Sequence, residues 1–459
     1  MATDLENMTR SELIEENKRL RFQVKQLNRL LFGSKRERFI PNRDENQMTL
    51  PFEVEQQDVP EKQKQVITYI REKKKRENHP GRLPLPSHLP VKEITLEPKE
   101  DTSGMKCIGR EVTDQLEMIP AKLFIKRYIR PKYIKQEDQD SLTHSGIIAD
   151  LPVFPIEKGM AGPGLLAQIM IDKFVDHLPI YRQIERFKRE GIKIPSSTIN
   201  GWQEAVCNLL EPLYENLKHR VLSQGYLQVD ETPIQVLDKR KKGKTHRGYQ
   251  WVYYSPLEKT VLFDYRDGRS RAGPQKLLKD FTGYLQTDGY SVYDLFAGRK
   301  DITLVNCMAH ARRGFEKALD YDRENAEHAL GMFQKLYAVE RKASQENMTA
   351  DQRHTLRLDE ALPVLNELGK WIANTYKTVL PKSPTGKAMA YCIPRWDNLM
   401  NYLKDGSLEI DNNLAENAIR PIALGRKNYL FAGSSRGAER AAMFYSFFGT
   451  CKKNEVNPF

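Results

Sequence analysis

Asp230 in YLQVDETPIQV, Asp288 in YLQTDGYSVYD and Glu416 in DNNLAENAIRP are the residues of this chain best placed for chemistry. The first two lie inside or at the end of short apolar runs that read as buried strands, and the third lies in a stretch that can form a helix. Strand carboxylates that meet a helix carboxylate can hold two divalent metal ions. Two such ions ~3.5–4 Å apart activate an attacking oxygen and stabilise a leaving one, the chemistry of cutting or joining phosphodiesters. Mg2+ keeps several waters in an octahedron of oxygens, so two or three carboxylates suffice. A carboxylate bridging both ions has to come from a rigid strand, which points to Asp230. Asp288 and Glu416 then complete one ion's sphere each. The expected cofactor is a pair of Mg2+ or Mn2+ ions.

Residues so far apart need a fold to unite them. From Tyr226 onward, GYLQVDETPIQVLD reads as a strand and KRKKGKTHRG as a polar connection. YQWVYYSP and EKTVLFDYRD follow as a second and third strand, RAGPQKLLKDF as a helix, YLQTD as a fourth strand, and DITLVNCMAH contains a fifth. That is the element order of an α/β, ribonuclease-H-like catalytic domain, assigned to 223–310 and 401–450. In that fold the first and fourth strands are neighbours, which sets Asp230 beside Asp288. A single strand-end Asp, or one preceding a turn glycine such as Gly289, reads more plainly as a solvated acid. Two at the matching places, with a helix rich in Asn and Arg downstream, favour a site.

Residues 311–400 read as an α-helical insertion between the fifth strand and the helix of Glu416. On spacing alone Glu409, Asp411 and Glu439 compete with Glu416. A helix groups Asn412, Glu416 and Arg420 on one face, and Pro421 is expected to close it. Candidate DNA-contacting cations are Arg312, Arg313 and Lys317 behind the fifth strand, then Arg420, Arg426, Lys427, Arg436 and Arg440. Backbone amides from Gly433 to Gly437 can approach a phosphate closely. Each of these cations can equally be a solvated face.

Upstream, residues 1–40 read as a coiled-coil helix. Leu13, Leu20 and Leu27 repeat every seven residues, with Asn17, Val24 and Leu31 four after each, a seam that favours pairing of two chains. Residues 41–100 form a basic, proline-containing linker, and 101–158 a small β-rich unit with alternating apolar and polar residues. Residues 159–222 read as a helical, helix-turn-helix-like DNA-binding domain: a helix at about 179–190 stops at Gly191, and Ser196 or Ser197 caps a second helix with Ile199 and Trp202 inward. Ser197, Thr198, Asn200 and Gln203 are then the candidate groove-facing residues, with an ordinary helical hairpin as the plain alternative.

The 459 residues carry a net charge of +12, with 39% hydrophobic and 29% charged residues. This composition fits a protein with a sizeable core and a polyanionic partner, and Lys and Arg gain affinity for nucleic acid by releasing its counterions. Five cysteines without a CxxC pair argue for a reducing compartment. No stretch reaches the ~18 apolar residues of a membrane span, so a soluble, intracellular protein is expected.

FGSKRER, LPIYRQIERFKREG, QVDETP, LQTDGY, CMAHARR and DNNLAENAIRPIALGRKNYLFAGSSRGAERAA together resemble the insertion sequence 66 family of bacterial transposases. The likeness spans nearly the whole chain. It implies that Asp230, Asp288 and Glu416 form a DDE triad, the catalytic and metal-binding residues of DNA cleavage at the element's ends and of strand transfer to target DNA. It also implies double-stranded DNA as partner (terminal inverted repeats and target), a homodimer or higher oligomer, accessory proteins of the same element, and a cytoplasmic, nucleoid-associated location. Related transposases carry a cysteine-rich zinc unit where this chain keeps only Cys107, so no zinc is expected; Cys307 and His310 are two ligands too few for a site. The chain ends at NEVNPF where relatives tend to continue. Two rival readings follow: a catalytically weak or inactive truncated copy that only binds inverted repeats, and a simple ribonuclease-H-like nuclease.

Overall fold

The structure, a computed structural model, describes residues 152–157, 159–238 and 243–459 throughout, and scattered positions between 123 and 148. The expected coiled coil over 1–40, the linker over 41–100 and Cys107 lie outside the described residues. The chain divides into two units, one of which is 43–151. Within that unit the described strands are β1 (Lys132–Tyr133) and β2 (Ile147–Ile148), paired antiparallel.

The second unit is built on a five-stranded mixed sheet. Its strands are β3 (Tyr226–Leu237), β4 (Thr245–Ser255), β5 (Thr260–Arg266), β6 (Gly283–Thr287) and β7 (Ile302–Asn306), in the spatial order β5-β4-β3-β6-β7. β4 runs antiparallel to both β3 and β5, while β6 is parallel to β3 and to β7. The first and fourth strands of this sheet are thus neighbours, which brings the segments of Asp230 and Asp288 together. β3 pairs with β6 only from Tyr226 to Gln228; beyond that point the two strands part. Pro233, which cannot donate to a ladder, falls in the portion of β3 that β6 does not reach. There the segment around Ala432 closes the edge instead, exchanging backbone hydrogen bonds with Gln235 and Leu237 at 2.8 and 2.9 Å.

Side chains alternate across β3, so each face meets a different core. One face carries Leu227 and Val229, which pack with Trp251, Tyr253, Leu262, Leu285 and Phe296. The other carries Ile234 and Val236, joined to Val252 and Phe263. This second core also takes in helices α1 (Pro163–Phe174), α2 (Ile180–Arg189) and α3 (Ser196–Leu222). The helical stretch read as a domain of its own over 159–222 therefore shares a core with the sheet. α4 (Ala272–Leu277) follows β5.

Residues 311–400, read as a helical insertion, are helical. They hold most of α5 (Met308–Ala318), then α6 (Arg323–Gln345), α7 (Ala350–Leu356), α8 (Leu362–Thr375), α9 (Pro384–Cys392) and α10 (Trp396–Met400). They pack around Phe315, Phe333, Leu365 and Met389, and Tyr226 and Val305 of the sheet join them. Between α7 and α8 one π-helical turn, Arg357–Ala361, aims the fully buried Arg357 inward. Its guanidinium donates to Glu340 Oε1 at 2.8 Å and to the carbonyls of Tyr402, Asp405 and Leu408 at 2.7–2.9 Å. This ties the insertion to the chain entering α11 (Asn413–Tyr429), which α12 (Ser435–Lys453) follows.

Two expected boundaries are corrected. Pro421 does not close its helix: α11 runs eight residues further, to Tyr429. Proline removes one intrahelical hydrogen bond, but Ile419, Ile422 and Gly425 on either side are buried, and that burial holds the helix through the gap. α3 is capped at Pro195, with no side-chain cap, so Ser196 is its first helical residue. Proline's fixed φ and missing donor suit the entry to a helix.

Candidate active site

β3 and β6 are in register through Gln228↔Gln286. Asp230 and Asp288 each follow that pair by two residues, at the place where the parallel strands separate. Crevices beyond the carboxyl ends of parallel strands are where open α/β sheets bind ligands. Asp288 lies just past the end of β6 in a sharp turn: its Oδ1 accepts from the Tyr290 N–H at 2.8 Å, and Gly289 takes φ +82°. The insertion holds this turn from outside. Tyr391 Oη donates to the Asp288 carbonyl at 2.6 Å, and Arg395 donates to the Gly289 carbonyl at 3.0 and 3.1 Å.

Glu416 occupies the first turn of α11, where the helix dipole favours a negative charge. A buried polar cluster keys that helix to the sheet. Gln228 Nε2 donates to Gln286 Oε1 at 2.8 Å and to the Asp411 carbonyl at 3.0 Å, while its Oε1 accepts from the Ala415 N–H at 3.1 Å. Gln286 Nε2 donates to the Glu409 carbonyl at 2.8 Å, and the Glu409 N–H donates to Tyr226 Oη at 3.0 Å. Asn412 adds a bond from Nδ2 to the Val229 carbonyl at 3.2 Å. The stretch of β3 just before Asp230 and the backbone one residue before Glu416 are thereby fixed to one another.

The three acids form one electrostatic neighbourhood. The Asp230 carboxyl is pushed up to about 8, chiefly by burial, then by the charges of Glu231 and Asp288, with Glu416 adding to them. The rival acids near Glu416 are engaged elsewhere: Glu409 meets Arg353 at 3.1 Å, and Asp411 accepts from Tyr337 Oη and Asn413 Nδ2 at 2.9 and 2.8 Å. Glu231, on the opposite face of β3 from Asp230, accepts from Arg269 Nε at 2.7 Å and from Tyr293 Oη at 3.2 Å. Glu416 looks toward α5, with its oxygens 3.8 Å from His310 Nδ1 and 3.6 Å from Arg313.

The donor set suits a hard divalent cation: all oxygens, with more negative than positive charge around Asp230. Among the described residues no group of three or more His, Cys, Asp and Glu side chains stands ready as a closed metal cage.

A family model described as "Transposase IS66 family" matches residues 158–440, more than half of the chain and every residue of this site. The chain belongs to the IS66 transposase family. A second family model, "Transposase C of IS166 homeodomain", matches residues 19–94. Similar proteins of this transposase family member occur in Sinorhizobium fredii (strain NBRC 101917 / NGR234). The uncharacterized protein y4jD is 29% identical over 394 residues, covering 82% of this chain and 76% of the relative. The uncharacterized protein y4hP is 30% identical over 410 residues, covering 83% and 72%. The uncharacterized protein y4qI is 30% identical over 455 residues, covering 95% and 83%. No solved structure matches the chain. No helix among the described residues is long and apolar enough to cross a membrane.

The remaining candidates of this IS66 family chain fall into three environments. Ser197, Asn200, Arg420, Lys427 and Arg436 are exposed, and Thr198 is half-buried. Gln203, expected on a groove-facing surface, is buried instead, because α3 turns that side toward α1, where Lys173 donates to it at 3.4 Å. Arg426 braces β3, donating to Thr232 Oγ1 at 2.8 Å and to the Pro233 carbonyl at 2.7 Å. Arg312 lies 3.7 Å from Glu316. Sequence reasoning passed over Gln228, Gln286, Tyr391 and Arg395, whose partners lie far along the chain. The one local signal was the repeated YLQ before both aspartates, which sets a glutamine two residues ahead of each.

Proposed function

We propose that this chain binds the terminal inverted repeats of a bacterial insertion sequence, cuts the DNA there in a metal-dependent reaction, and joins the freed 3′ end to target DNA. One observation carries the reading above the others. Asp230 and Asp288 follow an in-register pair on adjacent parallel strands, and the Gln228 carboxamide keys the Glu416 helix to those strands. The strand order supports a ribonuclease-H-like core with a helical insertion, and the family supports the chemistry.

Asp230, Asp288 and Glu416 would hold two Mg2+ or Mn2+ ions, which supply an activated attacking oxygen and a stabilised leaving oxygen when bound. The chain's own residues position that chemistry. β3 and the 288–290 turn fix two of the acids, and the Gln228 cluster sets the third. His310 and Arg313 face Glu416 and limit its rotamers. α2 and α3 form the DNA-reading hairpin, with Ser197, Thr198 and Asn200 toward the groove; Arg312, Arg420, Lys427 and Arg436 contact phosphates. Two element ends have to be held at once, so a dimer or larger assembly acts, with accessory proteins of the same element.

The test is an assay of the purified chain with labelled duplex from the DNA flanking its coding region, in Mg2+ or Mn2+. Strand-specific nicking at the repeat and joining to a second duplex are expected, and Asp230→Asn abolishes both while still binding. Binding without nicking by the wild-type chain would leave only a repeat-binding protein. Nicking of unrelated duplexes without joining would leave a plain nuclease.

A further inference from the structure

A cavity of about 330 Å³ lies between α1, α3 and the start of α12. Lys173, Asn200, Gln203, Ser434, Gly437 and Arg440 supply its polar lining, and Phe174, Ile234 and Phe431 much of its apolar wall. Its charge is unbalanced. Among the described residues, the hydrogen-bonding neighbour of Lys173 Nζ is the neutral Gln203 Oε1 at 3.4 Å, which is long for a hydrogen bond. Arg440 meets Glu204 at 3.1 Å through one terminal nitrogen, and that carboxylate is half-exposed. The Nε of Arg440 is buried and finds no partner among the described residues. Cys207 nearby is held as a neutral thiol, its pKa pushed up to about 12 by burial. The Lys173 ammonium is lowered to about 8, first by burial and then by the Arg440 charge.

Arg440 has the Glu204 carboxylate, but Lys173 has no anionic partner among the described residues, and an ammonium in a largely apolar hollow is costly unless an anion enters. α12, a 19-residue helix, adds the positive end of its dipole there. Ile234 lies four residues beyond Asp230 on the same face of β3, ~13 Å along the strand.

We propose that this cavity binds a phosphate of the DNA being cut, a contact point ~13 Å along β3 from Asp230 that holds the strand in line with it. This rests on the transposase reading and gives that site a specific anchor. Lys173 and Arg440 form charge-assisted bonds to the phosphate oxygens, and Gln203 contributes a neutral donor. The contact is independent of base sequence.

The test uses the full chain without metal, so that no cleavage is required. Binding of a labelled duplex of arbitrary sequence is followed by anisotropy across a salt series, for the wild type, Lys173→Met and Lys173→Arg. Lys173→Met is expected to weaken binding about 5- to 10-fold and to lower the log–log salt slope by about 0.9, the loss of one phosphate contact. Lys173→Arg recovers most of both. In parallel, inorganic phosphate is expected to raise the melting temperature of the wild type above that in chloride of equal ionic strength, and to leave Lys173→Met unmoved. Arg440→Gln is a second variant, expected to act like Lys173→Met should that chain prove poorly folded by circular dichroism. A DNA salt slope unchanged in Lys173→Met and Arg440→Gln overturns the proposal, even if inorganic phosphate stabilises the wild type; the cavity would then take a free anion. A wild-type chain that binds no duplex at all overturns the transposase reading as well.

Discussion

The Gln228 carboxamide oxygen accepts from the Ala415 N–H at 3.1 Å. One residue, Val229, separates Gln228 from Asp230, and Ala415 directly precedes Glu416, so a single hydrogen bond links the segments that carry these two acids. The same side chain donates to Gln286, two residues before Asp288. A buried side chain bonded on both sides is expensive to disturb, because its partners are left without water.

Gln228→Leu is accordingly expected to leave the Ala415 N–H and the Asp411 carbonyl unpaired, costing about 1–3 kcal/mol for each group left unsatisfied. A misplacement of the order of an ångström lowers catalysis about 100-fold. Cleavage of end DNA should fall by that order while DNA affinity stays near the wild-type value. Single-turnover cleavage and anisotropy on the same preparation check this; equal losses of cleavage and binding would contradict it.

Tyr391 acts on the second acid. Tyr391→Phe removes the hydrogen bond to the Asp288 carbonyl, worth about 1 kcal/mol. Cleavage is expected to drop about 5-fold, with DNA binding unchanged. An unaltered cleavage rate would show that the helical insertion does not hold the Asp288 turn.

Asp230 makes stability depend on pH. Its carboxyl has an ordinary value of 3.8 and a folded value of about 8, so between these the folded chain holds more protons than the unfolded one. The metal-free protein therefore loses stability as pH rises from about 4 through about 8. Asp230→Asn removes the titration and should melt higher than the wild type at pH 8, with the gap closing toward pH 4. Mg2+ competes with the proton, so its stabilisation of the wild type should grow over the same interval and vanish with EDTA. Parallel melting curves for the two chains at all pH values would refute the burial and like-charge origin of the shift.

Arg357→Met tests the join between the insertion and α11. Glu340 would lose one cation while three carbonyls lose their donor, and breaking such a buried pair costs about 3–5 kcal/mol. Urea unfolding of the full chain should show that loss. A change below about 1 kcal/mol would mean that the π-helical turn is incidental.

The sheet was largely legible from the sequence because its signals are local. Short apolar runs bounded by turns marked each of the five core strands, and their order placed Asp230 near Asp288. Glu416 was legible as a helical residue, but the surroundings that distinguish it from Glu409 and Asp411 were not. Those two are engaged by Arg353, Tyr337 and Asn413, partners up to 74 residues away in sequence. The Gln228 cluster was hidden for the same reason, its bonds spanning up to 187 positions. Pro421 misled because helix propensity is a local quantity, and burial of Ile419 and Ile422 outweighs it. Gln203 misled because the side of α3 it occupies is covered by α1, which no periodicity within α3 announces.

The central claim is convergence of two strand acids and one helix acid on a shared pair of cations. Crystals of the chain grown with Mn2+ and duplex DNA, measured at the manganese absorption edge, test it most directly. Two anomalous peaks ~3.5–4 Å apart are expected, with oxygens of Asp230 on both and those of Asp288 and Glu416 on one each. Manganese bound elsewhere, or bound by Asp230 and Asp288 with Glu416 out of reach, would contradict the account.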